Sequence, residues 1–243
     1  MPADALLPLD AQNAYRERYR AMRPGWRSSG EQLEALVRSH LSPNSHVLDL
    51  GCGRGGVVEL FWREVRLAAG LDPDVPSLAE HRAPGMPVIR GRGEHLPFAT
   101  GSFDLIVCLW VLEHLDQPEV VFKEVRRVLA PGGHFVFLTP NLGNPLLLMN
   151  RMAKALPQLQ RRIVPRLYGR REVDTFPVRY RANTAAAIHG HAARSGLEVV
   201  SLTAVADPTY LALNPLMFRA SVLTERLLPE GRGVHLLGDL RSE

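Results

Sequence analysis

Between residues 46 and 140, short apolar runs alternate with amphipathic stretches, and this alternation constrains the chain more than any other feature. It is the pattern of β-α-β units, and so of an α/β fold around a mostly parallel sheet. Strands are expected at HVLDL (46–50), RLAAGLD (66–72), PVIRG (87–91), DLIVCLW (104–110) and HFVFLTP (134–140). Helices are expected over 56–65 and 118–129, the second N-capped by Asp116 and stopped by the PGG at 131–133. An amphipathic helix over 31–41 precedes the sheet. After Pro140 the regularity lapses to about 185; a helix (184–195), a strand (197–203), a helix (215–228) and a last short strand (233–239) then follow. One domain is expected over 1–243, with an N-terminal helical segment (1–43), a core (44–140), a basic and apolar cap (141–185) and a C-terminal completion of the sheet (186–243).

The first strand runs into VLDLGCGRGG (47–56), where Gly51, Gly53 and Gly56 stand at the G-x-G-x-x-G spacing of a dinucleotide fingerprint. A strand, a glycine loop and a helix place a ligand at the carboxyl edge of the sheet. Charge separates the candidate ligands. Asp49 projects a carboxylate toward the same crevice, which repels a pyrophosphate but attracts the ammonium and sulfonium of S-adenosylmethionine. Asp72, ending the second strand in GLDPD about 20 residues beyond the loop, is the acid expected to hold ribose hydroxyls, which both ligands possess.

Further motifs follow in order: GEHLPFATGSFDLIVCLWVLEHL (93–115) and VFKEVRRVLAPGGHFVFLTPN (121–141). With VLDLGCGRGG and GLDPD they resemble the class I S-adenosylmethionine-dependent methyltransferases, in the branch known as methyltransferase type 11, over residues 44–140. The resemblance implies a Rossmann-like seven-stranded sheet, parallel except for its last strand, and S-adenosylmethionine as cofactor. It assigns Asp49, Gly51, Cys52 and Gly53 to the methionine end, Asp72 to the ribose, and Pro73, Gly93, Glu94 and His95 to the adenine. Leu109 and Trp110 should close the pocket near the sulfonium. Arg92 departs from the pattern, standing where the family commonly has an aspartate for the adenine amino group, and Glu94 is the nearest acidic substitute.

Methyl transfer is an in-line displacement, so alignment of acceptor, methyl and sulfur is the main requirement. For a hydroxyl acceptor, His114 in LEHL is the candidate general base, against a structural role for Glu113 and His114. His134, starting the fifth strand, should lie at the opposite edge of the sheet. The acceptor should be chosen by the cap. Residues 151–181 carry nine basic side chains against Glu172 and Asp174, more than the net charge of +4 for the whole chain. Overlapping their start, NPLLLMNRMAKALP (144–157) offers an apolar group, Leu147, Leu148, Met152, Ala155 and Leu156, suited either to an anionic membrane surface or lipid-like acceptor or to a lid packed on the sheet. DTFPVRYRANT (174–184) resembles a segment of relatives in the branch and should bring Tyr180, Arg181 or Asn183 toward the acceptor.

The expected function is therefore methyl transfer to a small or lipid-linked, anionic acceptor. An RNA methyltransferase, with the arginines and Tyr168, Phe176 and Tyr180 as the binding surface, and a non-catalytic binding module are the alternatives. Nucleic acid is the less favoured partner, since no RNA-binding module is recognisable. The two cysteines, Cys52 and Cys108, support neither a disulfide framework nor a four-ligand zinc site, so no metal is expected. The N-terminal residues lack an uninterrupted apolar stretch, and the expectation is a cytoplasmic protein, possible contact with the membrane periphery included.

Overall fold

The computed structural model describes residues 9–148, 176–210, 212, 214–229 and 231–243. Its strands are β1 (His46–Leu50), β2 (Leu67–Asp72), β3 (Val88–Arg90), β4 (Phe103–Leu109), β5 (Leu129–Pro140), β6 (Leu197–Val205) and β7 (His235–Ser242). They form one sheet in the order β3-β2-β1-β4-β5-β7-β6, parallel from β3 to β5 and with antiparallel pairing among the last strands. The mostly parallel seven-stranded sheet expected from the sequence is present. Strand order reverses between β1 and β4, the switch point at which open α/β sheets receive ligands. Asp49 on β1 is level with Gly70 on β2 and Val107 on β4, so the carboxyl ends of the three strands meet at one edge.

The helices are α1 (Leu9–Met22), α2 (Ser29–Ser39), α3 (Val75–Ala79), α4 (Pro118–Val128), α5 (Ala185–Ser195) and α6 (Pro215–Leu227). In α4, Val121, Phe122, Val125 and Val128 fall on one stripe, and all four are fully buried. They pack with Ile106, Phe135 and, from α5, Ile188 and Ala192. The Phe122 ring meets Phe135 edge to face at 5.7 Å. Thr184 caps α5 by accepting from Ala187 N at 3.2 Å, and Gly196 ends it in the left-handed conformation. Thr184→Ala is expected to cost about 1 kcal/mol in chemical denaturation.

Three local expectations are corrected. No helix spans 56–65: a short 3-10 turn, Val57–Leu60, is followed by irregular turns. Gly55 and Gly56 leave the backbone far from helical angles, and Glu59 is drawn back to Arg82, with Oε1 to Nη2 at 2.9 Å, so little chain remains before β2. Asp116 does not cap α4. That position falls to Gln117, without a side-chain bond, while Asp116 accepts from Arg179 Nε at 2.7 Å. Nor does PGG separate α4 from the next strand, because β5 already begins at Leu129 and pairs there with Phe103 before a register shift.

By internal packing the chain divides into two compact units. One, Gly30–Pro140, Val178–Thr203 and Leu236–Glu243, contains most of the sheet. The other comprises Met1–Ser29, Asn141–Pro177 and Ala204–His235. In it, α1 meets α6 through Tyr15 and Phe218 at 4.9 Å, and Tyr19 donates to Glu225 at 3.0 Å. Asn144 Oδ1 accepts from Leu146 N at 2.9 Å, where the chain turns helical at 145–148. Most of the expected cap, including Met152, Arg170 and Arg171, lies outside the described residues.

Candidate active site

Beyond β1 the backbone turns through Gly51 (φ +78°) and Gly53 (φ +47°). Gly51 N and Cys52 N donate to Leu71 O at 2.7 and 3.2 Å, which pins the loop to the end of β2. A Cβ on Gly51 would collide with the Val111 side chain, so close approach and positive φ both demand glycine there.

Two carboxylates face this loop from adjacent strands. Asp72 is held at both oxygens: Oδ2 accepts from Gly53 N at 2.9 Å and Oδ1 from Asp74 N at 2.8 Å. A carboxylate has about four acceptor positions, so capacity for further donors remains. Asp49 is different. It is only 3% exposed, and its Oδ2 has no hydrogen-bond partner among the described residues. Burial, with repulsion from Asp72 and Glu59, pushes its pKa from 3.8 to about 7. The Cys52 thiol is driven up to about 12, by burial first and then by the same two aspartates, and so stays protonated and unreactive.

Next to the loop opens a cleft of about 620 Å³ including its mouth. Leu50, Leu71, Cys108, Val111, Leu115 and Val121 give it apolar walls, and Gly51, Pro73, Arg92, Gly93, Glu94, His114 and Asp116 complete the lining. The segment after β3 is fixed against α4. Leu96 N donates to Glu124 Oε2 at 2.8 Å, and Arg127 donates to Phe98 O at 2.8 Å and Leu96 O at 2.9 Å. Gly93 packs so tightly that a Cβ would lie 3.1 Å from Val121 Cγ1.

The far wall is the LEHL turn after β4. Trp110 takes a left-handed conformation (φ +58°) and donates its N–H to Leu138 O at 3.0 Å, and a 3-10 turn, Leu112–His114, presents His114 to the cleft. Behind it Glu113 is buried. Its Oε2 accepts from Thr139 Oγ1 at 3.1 Å, and Oε1 lies 4.0 Å from His114 Nε2. Residues 178–183 are strapped over this turn. Arg179 N and Tyr180 N donate to Glu113 O at 2.6 and 3.0 Å, Arg181 Nη1 donates to Asp116 O at 2.6 Å, and the fully buried Asn183 donates to Thr139 Oγ1 at 2.7 Å.

The structure thus brings Gly51, Pro73, Gly93, Glu94 and His114 to one cleft, with Asp49, Cys52, Gly53 and Asp72 in and beneath the adjoining loop. Leu109 lies against Gly56, where a Cβ would be 3.8 Å from its Cδ2. His95, Leu109, Trp110 and Tyr180 are not among the cleft's lining residues; His95 is exposed, and Tyr180, also left-handed (φ +55°), belongs to the strap. Sequence reasoning missed the apolar walls Val111, Leu115 and Val121.

An orphaned buried carboxylate oxygen beside a glycine turn suits a cationic group, so the residues present fit S-adenosylmethionine better than a pyrophosphate. Comparison with known proteins agrees. Residues 48–137 match the model of a family described as a methyltransferase domain. A curated relative from Mycolicibacterium smegmatis, named "Probable S-adenosylmethionine-dependent methyltransferase", is 39% identical over 106 residues, covering 42% of this chain and 41% of its own. The demethylmenaquinone methyltransferase of Lactiplantibacillus plantarum is 33% identical over 116 residues, covering 43% of this chain and 49% of its own. The match therefore spans less than half the length of these relatives. For the fold, an S-adenosylmethionine-dependent methyltransferase structure from Mesorhizobium loti superposes with a TM-score of 0.55 at 22% identity, over 85% of this chain and 96% of that one. The glycine turn and the paired aspartates lie within residues 48–137, the stretch that matches the methyltransferase-domain family.

Proposed function

We propose that the chain catalyses methyl transfer from S-adenosylmethionine to a small lipid- or quinone-type acceptor, one bearing an anionic group. The observation that carries the cofactor half is the unpartnered, buried Asp49 oxygen beside the glycine loop. When bound, S-adenosylmethionine supplies an electrophilic methyl on a sulfonium. Asp49 and the backbone of Gly51 to Gly53 would hold its methionine end, Asp72 its ribose hydroxyls, and Pro73, Gly93 and Glu94 its adenine, with Leu109 and Trp110 toward the sulfonium. Arg92 lines the same cleft, so Glu94 is the acid offered to the adenine amino group. His114, with the buried Glu113 behind it, would take the proton released by a hydroxyl acceptor.

Asp72→Ala is expected to weaken S-adenosylhomocysteine by about 1 to 3 kcal/mol, through lost charge-assisted bonds to the ribose and a loosened Gly53 amide. Isothermal titration checks this, and an unchanged affinity would remove Asp72 from the site.

The acceptor half draws on the excess of arginine over 151–181 and on the quinone named for the Lactiplantibacillus relative. Incubation of the protein with methyl-labelled S-adenosylmethionine and fractionated cell extract tests it. Label is expected in the solvent-extractable lipid and quinone fraction. Label confined to ribonuclease-sensitive material would replace this reading with RNA methylation.

A further inference from the structure

At the edge of the sheet away from the cleft, three ligating side chains from separate elements converge. His40 directly follows α2, His134 lies on β5 opposite Leu105, and Asp239 lies on β7. Leu138, paired with the end of β4, is about 13 Å further along β5, which separates this cluster from the proposed cofactor site. Asp239 binds both imidazoles: its Oδ2 is 3.0 Å from His40 Nε2 and its Oδ1 is 2.7 Å from His134 Nδ1. The rings stack at 3.8 Å with an interplanar angle of 23°, and the three ligating atoms lie within 4.8 Å of one another.

We propose that His40, His134 and Asp239 form a binding site for a divalent transition-metal cation of the Zn²⁺ type. Two imidazoles and a carboxylate are a donor set such cations favour, and at bond lengths near 2.0 Å the ligand-to-ligand edges of a tetrahedral site are about 3.3 Å. The three ligating atoms, one from each residue, lie within 4.8 Å of one another, and because each ring now faces a different Asp239 oxygen, both rings must turn toward a common centre to admit the ion. The proton each imidazole now shares with Asp239 moves to its outward ring nitrogen, and the neutral rings turn a lone pair to the metal. Two further features favour a cation here. His40 sits at the carboxyl end of α2, where unpaired carbonyls carry partial negative charge. The Asp239 side chain is 3% exposed while each histidine is 20% exposed, so a buried anion is flanked by two partly exposed rings, from whose side an ion and its water ligands would approach. The bound ion would clip α2 to β5 and β7. No spacing motif announces it, since Asp239 is 199 residues from His40 and 105 from His134.

The test uses the full chain without a polyhistidine tag, stripped with a chelator and titrated with Co²⁺ and Zn²⁺. One equivalent is expected to bind, with visible absorption bands for Co²⁺ and a raised melting temperature for Zn²⁺. In His40→Gln and His134→Gln the metal affinity should fall by about tenfold or more, with S-adenosylhomocysteine affinity unchanged as proof of an intact fold. Absence of stoichiometric binding, or binding that survives in the double variant, would overturn the proposal and leave a proton-shared His-Asp-His network.

Discussion

Asp49→Asn should move two observables in opposite directions: the free protein becomes more stable, and S-adenosylhomocysteine binds more weakly. The wild-type carboxylate is buried with one oxygen unpartnered, and its pKa stands at about 7 instead of 3.8. That difference corresponds to about 4 kcal/mol of destabilisation once the group is ionised in the ligand-free fold, at 1.36 kcal/mol per unit. The amide removes the charge but leaves a polar group without its full set of partners, so a net gain of about 1 to 3 kcal/mol is expected at pH 8. In binding, the amide forfeits a buried charge-assisted bond to the ammonium, and affinity should fall by about 10- to 100-fold. The sign with pH follows from the raised pKa. Folded Asp49 holds its proton up to about 7 while the unfolded chain releases it near 3.8, so this contribution is full below 3.8 and is lost as pH rises through 7. Cofactor affinity should rise over the same interval, because the ionised form is the one that attracts the ligand. Denaturation and calorimetry from pH 5 to 9 on both proteins measure this, and parallel losses in stability and affinity would show Asp49 to be structural.

The second large effect concerns His114. With a hydroxyl acceptor, His114→Ala is expected to lower kcat by about 10² to 10⁴, the range for loss of a positioned general base, and to change S-adenosylhomocysteine affinity little. Its position on the cleft wall with buried Glu113 behind it is the reason. A variant whose turnover drops only slightly would reduce His114 to a lining residue and point to catalysis by alignment alone.

How far these features could be read in advance depended on the kind of signal. DLIVCLW and HFVFLTP read as strands because a parallel sheet covered on both faces needs nearly continuous apolar runs, and Leu105 to Cys108 are indeed fully buried. The aspartates ending the first two strands were legible for a related reason, since an acid at the end of a buried run has no packing role. The segment 56–65 misled because its valines and leucine fall at helical spacing, whereas the preceding glycines and the pull of Arg82 on Glu59 act against the helix. Asp116 likewise fits a helix cap in local sequence, and its actual partners, Arg179 and Arg181, come from a strap more than 60 residues away. The same separation hid the cluster of His40, His134 and Asp239, of which only the placement of His134 was anticipated. The basic stretch between 151 and 175 lies outside the described residues.

The central claim is that this loop and cleft hold S-adenosylmethionine and not a dinucleotide. Isothermal titration of the full chain at pH 8 with S-adenosylhomocysteine, and separately with NAD and NADP, tests it most directly. One molecule of S-adenosylhomocysteine per chain is predicted, with no comparable binding of either dinucleotide. Failure to bind S-adenosylhomocysteine, or tighter binding of a dinucleotide, would contradict the account.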